Sequence, residues 1–441
     1  MRKSKPLAIV AVLGALMLTA AACSSKTTTG GATGGGTDTC KSDPFGCVTY
    51  KAGAPIKIGT LLAISGDVAF LGTDSQHGAQ LAIDYIDKTF DGKGGQLLGH
   101  DVTLVNEDDG CSKDGGQTGG TKLAADPTIL AVIGTSCSSS ALGVADKILS
   151  DHGILLISPS NTNPNLTSEG THQPFYLRTA YNDKIQGAIV ADFASKSLKV
   201  KSAATIHDES PYADALAAVF RDDFQKAGGT ITPNGNQAIQ SSDKDFSSLL
   251  TTIAQDKPDM LYFPDFDPAC ALIAKQAPKT PGLENTKLVG SDGCLEKAFI
   301  DTGGAAVNGT YVSGPDLSSF QQNTFYSGTF LPAYAAQFGG KPTAAYHAQA
   351  FDAMNILFAA IEKAAVRNSD GSISIPRTAL KDAIYKTSGY QGITGTITCT
   401  PLGDCAGSTT VGVYQAPKLP CCADNAKPLF SETKTLQEVG G

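Results

Sequence analysis

The sequence predicts an α/β protein made of two similar halves, each a parallel sheet flanked by helices. Short apolar runs alternate with stretches of helical spacing, the pattern of βαβ units. The runs are continuously apolar, as strands covered on both faces are. The alternation also restarts partway along the 441 residues, a length that suits about two or three domains.

The first half opens with the strand Ile56-Lys-Ile-Gly-Thr-Leu-Leu62 and a loop over 65–72. A helix over 74–87 follows, with Ala79, Leu81, Ala82, Tyr85 and Ile86 at helical spacing. A glycine-rich turn region over 91–100 leads to the second strand, Val102-Thr-Leu-Val-Asn106. Glu107-Asp108-Asp109 at its end reads as a solvated loop, because a calcium loop spaces its acids alternately and adds a bidentate Glu. A helical stretch over 121–125 precedes the strand Ile129-Leu-Ala-Val-Ile133.

Gly134 ends that strand, and Ser138, Ser139 and Ser140 stand where a helix begins. The first turn of a helix has N–H groups without internal partners and the positive end of the macrodipole. Hydroxyls add donors, so this loop suits an anion without any charged residue. One serine suffices as a cap; three in a row, after a cysteine at the carboxyl end of a strand, point to a binding site. The next strand, Gly153-Ile-Leu-Leu-Ile157, ends in Ser158-Pro-Ser-Asn-Thr-Asn-Pro-Asn165. Two neighbouring strands ending in small hydroxyl residues describe a crevice at the carboxyl edge of a sheet, where ligands of open α/β folds bind. Neither loop is basic, which favours a single carboxylate on a small ligand over a polyanion.

The pattern restarts with a helix over 186–195 and the strand Ser202-Ala-Ala-Thr-Ile-His-Asp208. The loop Glu209-Ser-Pro-Tyr-Ala213 opens a helix to about Gly228, and a strand begins at Thr230. A helix over 245–253 precedes the strand Met260-Leu-Tyr-Phe263 with its loop Pro264-Asp-Phe-Asp-Pro268. Lys287-Leu-Val-Gly290 ends in Ser291-Asp292-Gly293. Two helices, over 343–365 and 379–385, and the strand Thr394-Gly-Thr-Ile-Thr398 then lead into a cysteine-rich tail.

The formal net charge of −8 argues against a nucleic-acid partner, which wants a basic face. Arg2, Lys3 and Lys5 precede an apolar run over 7–22, short for a membrane span and ending in small residues before Cys23. This reads as a lipoprotein signal peptide over 1–22, with Cys23 lipidated. Residues 23–54 then form a flexible Thr/Gly/Ser-rich tether carrying a Cys40/Cys47 loop, which holds an exported domain at the outer face of the cell membrane or in the periplasm. Setting Cys23 aside, ten of the eleven cysteines remain, scattered and exported, so disulfides are expected rather than metal. Cys40 with Cys47, and Cys399 with Cys405, are spaced to close small loops. Cys111 and Cys137 lie at the ends of successive strands, and Cys270 and Cys294 stand in a similar relation. Adjacent Cys421 and Cys422 remain; a vicinal bridge is strained, so the pairing of the last four stays open.

Ile133-Gly-Thr-Ser-Cys-Ser-Ser-Ser140, Gly153-Ile-Leu-Leu-Ile-Ser-Pro-Ser-Asn-Thr-Asn-Pro164, Phe175-Tyr-Leu-Arg-Thr-Ala-Tyr-Asn-Asp-Lys-Ile-Gln-Gly187 and His207-Asp-Glu-Ser-Pro-Tyr212, with Ile56-Lys-Ile-Gly-Thr60 and the stretch 346–363, together resemble the type I periplasmic binding proteins for leucine, isoleucine and valine. The resemblance runs from Ile56 to about Thr398. It implies two Rossmann-like lobes with parallel sheets joined by a three-crossover hinge. The first lobe would hold 55–179 and about 313–395; the second would hold 180–312 and about 396–441, including the tail. It also implies a Cys111–Cys137 bridge beside the site. By the same resemblance, Ser138, Ser139 and Thr162 meet a ligand carboxylate, the Ser160 carbonyl and Asp292 meet its ammonium, and Tyr212 covers it. Leu71, beside Phe70, and Phe266 fall where family aromatics line the side-chain pocket. Asp265 and Asp267 flank Phe266 and leave a polar or basic side chain open.

The residues themselves support this charge logic: a serine loop for a carboxylate and one carboxylate from the other half for an ammonium. The function expected is a monomeric substrate-binding lipoprotein of an ABC importer, partnered by a membrane permease and clamping an amino acid, with no cofactor, metal or catalysis. One alternative is a sensing receptor subunit for an amide or carboxylate. An exported hydrolase fits less well: Gly134-Thr-Ser136-Cys-Ser138 lacks the second glycine of a nucleophile elbow.

Overall fold

The buried strand Ile129–Gly134 sits inside a six-stranded sheet, which explains its unbroken apolar run: all six residues are buried. A fully buried Ile or Leu contributes about 1.5–3 kcal/mol over an exposed one. The computed structural model describes residues 36–422 and 426–440, so the expected signal peptide and Cys23 lie outside the described residues. Across the first sheet the strands run Gln96–Leu97, His100–Asp108, Ile56–Leu62, Ile129–Gly134, Leu155–Ser158 and Tyr176–Arg178. All are parallel except the first, which forms a hairpin with His100–Asp108. Gly134 has φ +145°, and a Cβ there would lie 2.1 Å from the Leu61 carbonyl oxygen, so only glycine lets the strand turn into the serine loop.

The second sheet runs Phe430–Thr433, Thr410–Gln415, Tyr311–Pro315, Lys287–Gly290, Met260–Phe263, Ser202–His207 and Thr230–Ala238. Its last five strands are parallel, and the two from the C-terminal region add antiparallel at one edge. Around the two sheets two lobes form, and the chain passes between them after Arg178, after Pro315 and between Cys405 and Thr410. This last passage falls later than the expected 396, because Ile397 and Cys405 pack in the core of the first lobe.

Two further expectations change. The helix expected over 121–125 spans Lys113–Ala125. A Cβ on Gly116 would meet the Ser140 carbonyl oxygen at 2.1 Å, and one on Gly119 would meet Leu61 at 2.3 Å, so glycines that weaken the helix locally let it pack closely. The described part of the expected tether is ordered. Gly36–Ser42 is a helix, and Cys47–Tyr50 pairs antiparallel with Ile373–Pro376. Val48 and Tyr50 enter the first lobe's core, and the Asp43 carboxylate accepts from the Thr378 N–H at 2.8 Å. The disulfides are Cys40–Cys47, Cys111–Cys137, Cys270–Cys294, Cys399–Cys405 and the vicinal Cys421–Cys422.

Arg178, with no exposed surface, ties the tail to the loop after Leu155–Ser158. Its Nε donates to Asp404 Oδ1 at 2.7 Å, and Nη1 donates to the carbonyls of Asn161 and Asn163 at 3.2 and 2.9 Å. Breaking a buried pair leaves the other charge uncompensated, so Arg178→Ala should destabilise the fold by about 3–5 kcal/mol. Urea denaturation checks this, and a loss below 1 kcal/mol would remove the pair as a structural tie.

Candidate functional site

Between the lobes lies a narrow, largely closed cavity. The first lobe lines it with Phe70 and Leu71 at the start of the helix Ala69–Asp84, with the Ser136-Cys137-Ser138 turn, and with Ser160. The second lobe contributes Tyr212, Phe266, Asp292 and Gly293, and Ala344, Ala345 and Tyr346, just before the helix His347–Ala364, complete the lining. Phe266 packs on Tyr212 with ring centroids 5.1 Å apart.

The serine loop is less of a helix end than its sequence suggests. Ser138–Ser140 forms a single turn; Leu142 and Gly143 leave helical geometry, and a helix resumes only at Asp146–Asp151. The loop therefore offers one turn of N–H groups, without a long helix dipole behind it. Its position comes from Asp109, which is fully buried and not solvated as expected. Asp109 Oδ1 accepts from the Cys111 N–H and Oδ2 from the Ser136 N–H, both at 2.7 Å, joining the two ends of the Cys111–Cys137 bridge. Burial pushes its carboxyl up to about 7 despite these donors. Asp108 beside it also holds backbone, accepting from the N–H groups of Ile64 and Gly110 at 3.1 and 2.9 Å.

Asp292 is the one charged side chain on the cavity lining among the described residues, and it is half-buried. Tyr212 Oη donates to its Oδ1 at 2.7 Å and Tyr346 Oη to its Oδ2 at 2.8 Å. Burial raises the carboxyl above the usual carboxylate range, and the two hydroxyls oppose the rise. Behind it lies Asp183, fully buried, with neither carboxylate oxygen in a hydrogen bond of good geometry. Burial, and then the charge of Asp292, push Asp183 well above its ordinary value.

Tyr346 is the residue that the sequence reading missed. It precedes the helix His347–Ala364, and Asp74 from the helix Ala69–Asp84 fixes it there. Asp74 Oδ2 accepts from the N–H groups of Tyr346 and His347 at 3.1 and 2.8 Å and pairs with His347 Nδ1 at 3.0 Å. Burial alone would raise Asp74, but the imidazole and these donors bring it below its ordinary value. An acid in one helix and an aromatic just before another gave no local signal; only their packing joins them.

Of the residues expected at the site, Leu71, Ser138, Ser160, Tyr212, Phe266 and Asp292 line this one cavity. Ser139 does not: its hydroxyl donates to the Cys111 carbonyl at 3.0 Å, and the residue lines a second, outer cavity. Thr162 is buried outside the lining, its hydroxyl beside Asp183. Asp265, also fully buried, stands next to Asp208.

Two α/β lobes with three passages between them and a cavity enclosed at their junction define a bilobal binding protein. The pattern of the family described as periplasmic binding protein matches residues 55–417. The chain belongs to that family, with the type I fold. The Leu/Ile/Val-binding protein BraC3 of Rhizobium johnstonii is 33% identical over 331 residues, covering 75% of this chain and 84% of that one. The Leu/Ile/Val-binding protein of Escherichia coli is 31% identical over 260 residues, 59% of this chain and 67% of its own. Among solved structures, the leucine binding protein LivK of Thermotoga maritima aligns with a TM-score of 0.70 at 26% identity, over 86% of this chain and 98% of that one.

Because both tyrosine hydroxyls favour the charged form of Asp292, Tyr346→Phe or Tyr212→Phe should raise its pKa further. Titration of the Asp292 carboxyl carbon by NMR checks this; an unchanged or lower value would show that the hydroxyls do not hold the carboxylate in solution.

Proposed function

We propose that this chain is the extracytoplasmic substrate-binding subunit of an ABC importer. It works as a monomer, is held to the outer face of the cell membrane by lipid on Cys23, and clamps a small amino acid, branched-chain or related. The observation that carries this reading is Asp292 as the single charge on a cavity whose opposite wall is the uncharged serine loop. A zwitterion satisfies both walls. Its carboxylate takes N–H and hydroxyl donors at Ser138, and its ammonium takes Asp292 and the Ser160 carbonyl. Tyr212 covers the ligand, while Leu71, Phe70, Phe266 and Ala345 meet its side chain. The names of the Rhizobium and Escherichia coli relatives support an amino acid as the class of ligand. Binding rather than catalysis is the activity, and the closed form is what docks on the permease.

A ligand lacking either charged end leaves buried polar groups unpaired, which is how such a site discriminates. Asp292→Ala should therefore weaken amino-acid binding by about 2–5 kcal/mol, while Ser138→Ala should cost less because backbone donors remain. Calorimetric titration of both variants reads this directly, and an unchanged dissociation constant for Asp292→Ala removes it from the site.

A thermal-shift screen of the full chain should show a raised midpoint with one amino acid and none with its amide or deaminated analogue. At a hundredfold excess over the dissociation constant the stabilisation is about 2.7 kcal/mol. A shift with an amide or carboxylate alone would keep the clamp and overturn the zwitterion.

A further inference from the structure

Behind the inner cavity stands a buried acid that the zwitterion clamp does not use. Asp183 opens the helix Asp183–Asp192, just past the passage between the lobes that follows Arg178. Asn182 caps that helix, its side chain accepting from the Lys184 N–H at 3.0 Å, so Asp183 is not needed as a cap. The Asp183 N–H donates to the Thr162 carbonyl at 2.9 Å and holds the residue against the loop that carries Ser160. Both carboxylate oxygens of Asp183 lack a hydrogen bond of good geometry, and so do the hydroxyls of Thr162 and Tyr262 beside it. None of these three side chains is more than 1% exposed.

The charges around Asp183 do not balance. It feels the charge of Asp292, which lines the cavity. The base whose charge reaches it, Arg178, is committed elsewhere: Nε to Asp404, Nη1 to the carbonyls of Asn161 and Asn163, and Nη2 to Thr167. Lys184 turns its Nζ to the Gly440 carbonyl at 3.2 Å. The other ionisable groups facing the two acids are the phenols of Tyr181, Tyr212, Tyr262 and Tyr346, which burial keeps protonated. Tyr212 and Tyr346 donate to Asp292 and not to Asp183. The helix N-terminus favours an ionised Asp183, but it does not offset burial of a carboxylate without donors. Two such acids keep a proton between them until a cation takes its place. Asp292 has the donors and the open surface, so the proton resides on Asp183.

We propose that Asp183 is the proton-holding partner of Asp292, and that the ligand's ammonium displaces this proton, so that amino-acid binding and proton release are linked. This rests on the zwitterion reading of the inner cavity. In the empty protein the Asp183 carboxyl keeps its O–H and Asp292 carries the charge. An ammonium seated on Asp292 cancels the charge that retains the proton. The O–H bond of Asp183 then breaks, its electron pair stays on the carboxylate, and the proton passes to solvent. Asp183 is thus a positioning residue that acts on the ligand through Asp292. Because binding releases protons, affinity rises with pH, and acid weakens binding by the same linkage.

Two measurements on the full chain with L-leucine test this. Calorimetric titration from about pH 5 to 9, in buffers of different ionisation enthalpy, counts the protons released. The wild type should release about half a proton or more per leucine within that range, where affinity rises about threefold or more per pH unit. Asp183→Asn has no proton to lose at that position, and its release and pH slope should fall to less than about half of these. NMR titration of the Asp183 carboxyl carbon in the wild type, which does not depend on the variant folding, should show the acid form in the empty protein and the ionised form in the leucine complex at one pH. An Asp183 carboxyl in the same state with and without leucine, or a release undiminished in Asp183→Asn, would overturn the linkage and leave the clamp standing. Failure of leucine, isoleucine and valine to bind the wild type at any pH would overturn the clamp, and the linkage with it.

Discussion

The carboxylate of Asp292 is the constraint on which the junction of the lobes depends. A charge out of contact with bulk water is costly unless hydrogen bonds compensate it. Here the compensation comes from two separate elements, Tyr212 on the helix Pro211–Lys226 and Tyr346 before His347–Ala364. Tyr346 depends in turn on Asp74, whose carboxylate takes the N–H groups at the start of that helix and is paired with His347. Asp74, Tyr346 and Asp292 thus form one connected chain from a first-lobe helix to the second-lobe wall. Any opening of the lobes that separates Tyr346 from Asp292 must exchange that hydrogen bond for water or for a ligand.

The opposite wall is built on the reverse plan. It presents no charge and takes its shape from a buried acid behind it. Asp109 holds the Cys111 and Ser136 N–H groups, and the disulfide pins the same two segments covalently. The turn at Ser138–Ser140 is therefore positioned without a continuous helix to support it. One wall is polar and neutral, the other carries a single anion, and the pair suits a ligand with unlike ends.

The N-terminal segment outside the family match, and the stretch around Asp404 within it, reinforce the first lobe. Cys47–Tyr50 adds to Ile373–Pro376. Arg377, at the end of that pairing, sends Nη2 to the carbonyls of Pro127 and Ile129 at 3.2 and 3.0 Å, where the central strand begins. The tail does the same from the other side through Asp404 and Arg178. These additions anchor the strands and loops that carry the site, although none of them lines the inner cavity.

The sequence by itself determined the class of fold, because continuous apolar strands followed by helical spacing leave few arrangements other than covered parallel sheets. It also identified six of the cavity-lining residues, since each stands at a strand end, a helix start or in a motif the family shares. What it could not determine depended on distant partners. The helix Lys113–Ala125 was legible only from 121, because the packing against Ser140 and Leu61 that requires Gly116 and Gly119 is not local. Asp109 read as a solvated acid, because burial is not a local property. Ser139 and Ser138 are chemically identical neighbours, and only the loop's path turned one hydroxyl to Cys111 and left the other in the cavity. Tyr346 met Asp292 across 54 residues, a contact that no period or motif encodes and that the closing of two lobes alone decides.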